Sequence, residues 1–231
     1  MDAFLSNKLR ANYDDYYEGK GILEWRRLGA IGKANNIMNL CNEYLHESIL
    51  EIGSGDGSIL KRLSDAHFGN ELYSLEISKT AVQTISEKKI KGLVEVKLFD
   101  GYNIPYENNR FDLVILSHVI EHLEYPRKML YEASRVGKYI FVEVPLEDNL
   151  RLEKDYKFNK VGHINFFSPK TIRRLIQTCD IEVLFQIVTN QLYHVYKYQY
   201  GNKAFLRYLP KEFLLRLMPA VAPIFLPIIV R

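Results

Sequence analysis

Three glycines alternate with other residues in Glu51-Ile52-Gly53-Ser54-Gly55-Asp56-Gly57, with the carboxylates Glu51 and Asp56 and the hydroxyl of Ser54 among them. Glycines at that density serve a backbone that turns sharply or approaches a ligand with no Cβ in the way. The apolar residues Ile49, Leu50 and Ile52 precede them, and helix-compatible residues begin at Ser58. A strand, a glycine turn and a helix in that order offer unpaired backbone N–H groups to a polar or anionic ligand. A dinucleotide fingerprint needs G-x-G-x-x-G, and the third glycine's place is taken here by Ser58, which weakens an NAD reading. Three alternating glycines flanked by acids also exceed what a tight turn requires.

Two further acids are spaced to work with this turn. Glu76, followed by Ile77, ends a second apolar run (Leu72 to Ile77), where a carboxylate can accept hydrogen bonds from a ribose diol. Asp100-Gly101 follows a third alternating run, Val94 to Leu98. Ser117 and His118 end a fourth run, Phe111 to Ser117, and His122 lies four residues on. His163 sits in a polar loop and, with His122, is a candidate general base, while Tyr17 is a candidate positioning group. The competing reading makes His122 a structural histidine that holds its loop.

These residues need a scaffold. Strands read at 48–52, 72–77, 94–98, 111–117 and 139–145 alternate with helices at 58–65, 79–89 and from Pro126, which argues for a parallel doubly wound sheet. Ligands of such sheets lie outside the carboxyl ends of the strands, so Glu51, Glu76, Asp100, Ser117, His118 and Pro145 are expected on one rim. A helix is expected over 25–46, and another after the Ser168-Pro169 cap. Residues 181–188 and 191–198 read as an antiparallel strand pair joined at Thr189-Asn190. The chain divides into an N-terminal helical lid (1–45), a main domain (46–200) with a cap insertion (146–167), and an apolar C-terminal extension (201–231).

Taken together, these motifs resemble class I S-adenosylmethionine-dependent methyltransferases, small-molecule members in particular. The resemblance rests on Glu51-x-Gly53-x-Gly55-x-Gly57, Glu76, Asp100-Gly101, the run Phe111-Asp112-Leu113-Val114 followed by Ser117 to Leu123, and Gly162-His163-Ile164-Asn165-Phe166-Phe167-Ser168. It covers about residues 45–200. It implies an α/β fold, a Rossmann-like seven-stranded doubly wound sheet that is mostly parallel with one antiparallel edge hairpin and helices on both faces. It implies S-adenosylmethionine as cofactor, with Gly53, Gly55 and Gly57 at its methionine part, Glu76 at the ribose, Asp100 and Gly101 at the adenine, and Ser117 and His118 near the methionine end. Glu51, Ser54, Asp56 and Ile77 complete the expected contact set. The reaction implied is methyl transfer to an O or N atom of a small metabolite or envelope-sugar intermediate.

Composition narrows the partners. The 231 residues carry a net charge of +3, with 18 Lys/Arg against 23 Asp/Glu in residues 1–150 and 13 against 5 in residues 151–231. The basic final third suits an anionic acceptor or a membrane surface. Base-directed members of this fold carry an Asn/Asp-Pro-Pro-Tyr/Phe signature after the fourth strand, and Ser117-His118-Val119-Ile120 stands there instead, so no nucleic-acid partner is expected. Two cysteines and the lack of zinc-type spacing give no expectation of a metal, and a cytoplasmic location is expected. Phe213 to Val230 is apolar but carries prolines 219, 223 and 227, a poor spanning helix. Packing on the core or a homodimer contact is expected for it first, peripheral membrane contact second. A non-catalytic cofactor-binding scaffold or regulatory partner is the reading from another class.

Overall fold

The computed structural model describes residues 20–148, 152, 162–217 and 225–231. Tyr17, most of the cap insertion and residues 218–224 lie outside them. Seven strands form one sheet: β1 (Ser48–Ile52), β2 (Glu71–Glu76), β3 (Leu93–Leu98), β4 (Phe111–Ser117), β5 (Gly137–Pro145), β6 (Val183–Gln186) and β7 (Phe225–Val230). Their order is β3-β2-β1-β4-β5-β7-β6. Strands β1 to β5 run parallel, and β7 is antiparallel to both β5 and β6. The helices are α1 (Lys20–Cys41), α2 (Ser58–Asp65), α3 (Lys79–Glu87), α4 (Pro126–Val136), α5 (Pro169–Gln177), α6 (Tyr193–Tyr200) and α7 (Ala204–Leu217), with a short 3-10 turn at Ile120–His122.

The period-two pattern of each strand divides its side chains between two cores. Leu50, Ile52, Val114, Leu116, Val142 and Val144 face one layer with Met129, Leu130 and Ala133 of α4 and Ile172 and Ile176 of α5. Ile49, Leu113, Ile115, Phe141 and Ile229 face the other, with α1, α2 and α3. Helix α1 meets the sheet through Ala30, Ala34, Ile37 and Cys41, at spacings of four, three and four residues. Ala30, Ala34 and Cys41 are small and let it lie close to the strands, and Leu45, beyond its end, is exposed.

One expectation for the C-terminal part is corrected, and the packing of the apolar tail on the core takes a specific form. Residues 191–198 do not form a strand: Tyr193–Tyr200 is α6, and the antiparallel partner of β6 is β7. The Tyr- and Val-rich composition that suggests a strand reflects packing preference more than backbone preference. Here Val195 and the adjacent Tyr196 are both buried, as a helix against neighbouring helices permits and a half-exposed strand does not. Residues 225–230, expected within an apolar extension, are a strand between β5 and β6, with Ile228, Ile229 and Val230 fully buried. Each such side chain contributes roughly 1.5–3 kcal/mol of burial. This strand is therefore unavailable to a membrane or to a second copy of the chain. Pro227 sits in the ladder opposite Glu143.

Candidate functional site

Strand order reverses direction at β1, whose neighbours β2 and β4 connect to opposite halves of the sheet. The crevice outside the carboxyl ends of such strands is where ligands of open α/β sheets lie. The glycine turn leaves β1 at this point. Gly53, Gly55 and Gly57 all have positive φ, at 70°, 61° and 73°. A Cβ on Gly53 would stand 2.8 Å from Val119 Cγ2, in the segment after β4. The turn is held by the Gly53 N–H donating to Leu75 O at 2.8 Å, and by Ser54 Oγ donating to Glu51 O at 3.0 Å and accepting from Ser74 Oγ at 2.8 Å.

The acids on this rim divide into tied and untied groups. Glu76 accepts from the Gly55 N–H at 3.0 Å and the Ile77 N–H at 3.1 Å, so one carboxylate fixes the glycine loop and the start of the next segment together. Burial raises its pKa above the ordinary carboxylate value, and those backbone N–H groups oppose the rise. Asp56 points away toward Lys88 Nζ at 2.9 Å and Ser58 Oγ at 2.5 Å, with Arg26 Nε at 3.7 Å. Those partners hold its pKa down against burial. Asp56 thus braces the turn. Asp100 accepts from the Tyr102 and Asn103 N–H groups at 2.8 and 2.7 Å and shapes the turn around Gly101, whose φ is 97°.

Glu51 differs from these. It is buried, and among the described residues its Oε2 has no hydrogen-bond partner. Burial pushes its pKa up to about 8, against the pull of Lys33 and with the help of Asp56 and Glu76. Lys33 and Arg26 come from one face of α1, seven residues apart. The Lys33 amine lies amid the charges of Glu143, Glu121 and Glu51, and burial lowers its pKa. Ser117 Oγ donates to Glu143 Oε2 at 3.0 Å, and Asn36 of α1 donates to Glu143 Oε1 at 2.7 Å. Arg26, Lys33, Asn36 and Glu143 were not among the residues expected from the sequence. The α1 residues could have been found only as a polar stripe on a helix of otherwise unassigned role.

The histidines gather after β4. His118 has φ 58°, and its N–H donates to Glu143 O at 2.8 Å. Burial, followed by the charge of Lys33, keeps its imidazole well below the ordinary pKa. The 3-10 turn that carries Glu121 and His122 is clamped to the loop that carries His163. The Ile164 and Asn165 N–H groups both donate to Glu121 O, at 3.0 and 2.9 Å, and Asn165 Nδ2 donates to Leu123 O at 2.7 Å. The rings of His122 and His163 meet edge to face with centroids 4.8 Å apart. His122 Nδ1 lies 3.2 Å from Gly162 O, and His163 Nδ1 lies 2.7 Å from Glu147 Oε2. Burial lowers the His122 pKa to about 4. Burial would also lower that of His163, but the Glu147 hydrogen bond and the charge of Glu121 raise it overall. Burial raises Glu121 to about 7.

The sequence candidates therefore fall into two neighbouring groups: Glu51, the three glycines, Glu76 and Asp100-Gly101 around the β1 turn, and Ser117, His118, His122 and His163 after β4. The shallow hollow lined by Ile104, Tyr106 and Arg110 is elsewhere, since Arg110 precedes β4 at its opposite end.

Comparison with known proteins agrees with this frame. Residues 50–139, from β1 into β5, match the methyltransferase domain family Methyltransf_11. The chain is 28% identical over 135 residues to the uncharacterized protein MJ1123 of Methanocaldococcus jannaschii, covering 55% of this chain and 61% of that one. It is 31% identical over 93 residues to the Bacillus subtilis protein named "Putative methyltransferase YrhH", covering 39% and 52%. The chain thus spans between about half and six-tenths of the length of these relatives. A SAM-dependent methyltransferase structure from Thermotoga maritima superposes with a TM-score of 0.61 at 15% identity, over 96% of each chain, a likeness of fold. The strand order, the glycine turn at the switch point and the family match over residues 50–139 converge on a methyltransferase domain fold at the centre of this chain, similar to that of S-adenosylmethionine-dependent methyltransferases.

Proposed function

We propose that this chain transfers a methyl group from S-adenosylmethionine to an oxygen or nitrogen atom of a small acceptor. The carrying observation is Glu51, a buried carboxylate whose Oε2 has no hydrogen-bond partner among the described residues, beside a glycine turn whose three positive φ angles disfavour side chains. A cationic ligand suits that acid, and bound S-adenosylmethionine supplies an activated methyl on a sulfonium together with an ammonium group. The positive φ of Gly53, Gly55 and Gly57 shapes the turn against which such a ligand would lie. Glu76 offers carboxylate lone pairs to a ribose diol, and Asp100 with Gly101 frames the adenine position. Orientation of the acceptor and exclusion of water are then the protein's main tasks. Ser117, His118, His122 and His163 line the part of the rim where an acceptor would be placed. A hydroxyl acceptor would need help from that group to lose its proton.

The test is parallel calorimetric titration with S-adenosylmethionine, S-adenosylhomocysteine and NAD. Binding of the first two and not of NAD is expected. Binding of NAD alone would overturn the proposal, and binding of none would favour the non-catalytic scaffold.

A lipid-linked acceptor is the second reading, and one surface feature favours it. Phe205, Leu206, Leu209 and Phe213 of α7 are exposed, and Lys203, Arg207 and Lys211 lie close to them in sequence. An apolar face with basic neighbours suits shallow contact with an anionic bilayer. No helix of the described residues is long and apolar enough to cross a membrane. Flotation with anionic vesicles, lost in Leu206→Glu/Phe213→Glu, is the expected result on this reading; absence of flotation refutes it.

A further inference from the structure

Glu121, His122 and His163 each offer one ligand atom, and these atoms lie within 4.8 Å of one another. We propose that these three side chains bind a divalent transition-metal cation of the Zn2+ class. The donor set, two imidazoles and one carboxylate, is one that zinc and neighbouring first-row ions accept, with a remaining position for water or substrate oxygen. Bonds of about 2.0–2.1 Å would bring tetrahedral ligand atoms to roughly 3.3 Å from one another, so small side-chain rotations close the site.

Three observations point the same way. Neither carboxylate oxygen of Glu121 has a hydrogen-bond partner among the described residues, although the residue is fully buried. Its nearest cationic-capable neighbour, His118 Nδ1, stands 3.2 Å from Oε1 without hydrogen-bond geometry. An unsatisfied buried carboxylate is costly, and a cation is one of the few groups that satisfies both of its oxygens. Second, Nδ1 of each imidazole is directed outward, His122 to Gly162 O and His163 to the Glu147 carboxylate. That pairing assigns Nε2 as the ligating atom, and such outer partners orient and strengthen histidine ligands. Third, the ligands come from two segments fastened to each other through Glu121 O and Asn165, which fixes their separation before any ion binds.

The ion would stand beside the end of β4, where the proposed function places the acceptor. As a Lewis acid it would lower the pKa of a coordinated hydroxyl and favour oxygen acceptors. The metal proposal itself does not depend on the methyl-transfer reading, because binding is read without turnover.

The experiment uses the full, untagged chain, stripped with chelator and titrated with Co2+ while visible absorption is followed. Zn2+ is then added in competition. One Co2+ per chain with a d–d band, displaced by Zn2+, is expected, together with a rise in thermal midpoint. Glu121→Gln and His163→Gln, shown folded by circular dichroism, should each weaken binding at least a hundredfold. Glu147→Gln should weaken it about tenfold or more, and His194→Ala, whose ring lies on Leu28 O away from the cluster, should not. No band and no thermal shift in the parent would overturn the proposal, leaving Glu121 as a neutral buried acid. A band that survives in both folded ligand variants would overturn it equally.

Discussion

Lowering the pH from about 7.5 to about 6 should weaken cofactor binding roughly 25-fold, and Glu51 is the reason. Its pKa stands at about 8, because burial disfavours the carboxylate more than Lys33 and Arg26 of α1 restore it, while Asp56 and Glu76 add repulsion. A cationic ligand selects the ionised form. At pH 7 about one Glu51 in ten is ionised, so the apparent affinity is about tenfold, or about 1.4 kcal/mol, below its limit. The sign follows: affinity rises with pH until Glu51 is ionised, and it falls by nearly a factor of ten for each unit below. Calorimetry between about pH 6 and pH 7.5 keeps the ligand's own amino group mostly protonated. Repeating it at about pH 6 in buffers of different ionisation enthalpy should show the release of nearly one proton per ligand bound. In Glu51→Gln the affinity should lie near the low-pH value of the parent and lose this slope. A flat profile in the parent, or an unchanged slope in the variant, would refute the reasoning.

Gly53→Ala is expected to destabilise the fold by about 1–3 kcal/mol in urea unfolding, from the left-handed backbone and the 2.8 Å approach to Val119. Adding Val119→Ala should recover the steric part and not the backbone part; full recovery would show that φ is not the constraint. Glu76→Ala should weaken S-adenosylhomocysteine binding by about 1–3 kcal/mol, through lost ribose acceptors and a loosened Gly55 N–H. Unchanged affinity would remove Glu76 from the site. Ile229→Ala should cost about 2–5 kcal/mol of stability, since the side chain is fully buried between β5 and β6. A loss under about 0.5 kcal/mol would contradict the placement of β7.

Local sequence patterns suffice to specify the parallel half of the sheet and the turn at its centre. Strands β1 to β5 announce themselves through local patterns: short apolar runs, glycines where φ must be positive, and acids at strand ends. Ser168-Pro169 likewise marks the start of α5, where Ser168 caps the Thr171 N–H and Thr171 Oγ1 accepts from the Ser168 N–H. Those signals survive because each is enforced by backbone geometry within a few residues. Tertiary structure alone decided what β6 pairs with. Its partner lies some forty residues away, beyond two helices, and the apolar run containing it reads equally well as a docking segment. The division of labour among the acids was decided the same way. Glu51, Asp56 and Glu76 look alike in sequence, yet Lys88 and Arg26 neutralise Asp56, two backbone N–H groups hold Glu76, and Glu51 keeps an oxygen without a hydrogen bond. The same holds for Glu121, His122 and His163, which become one cluster only when two segments forty residues apart are clamped at Glu121 O. Charge and desolvation depend on three-dimensional neighbours, and spacing along the chain does not encode them.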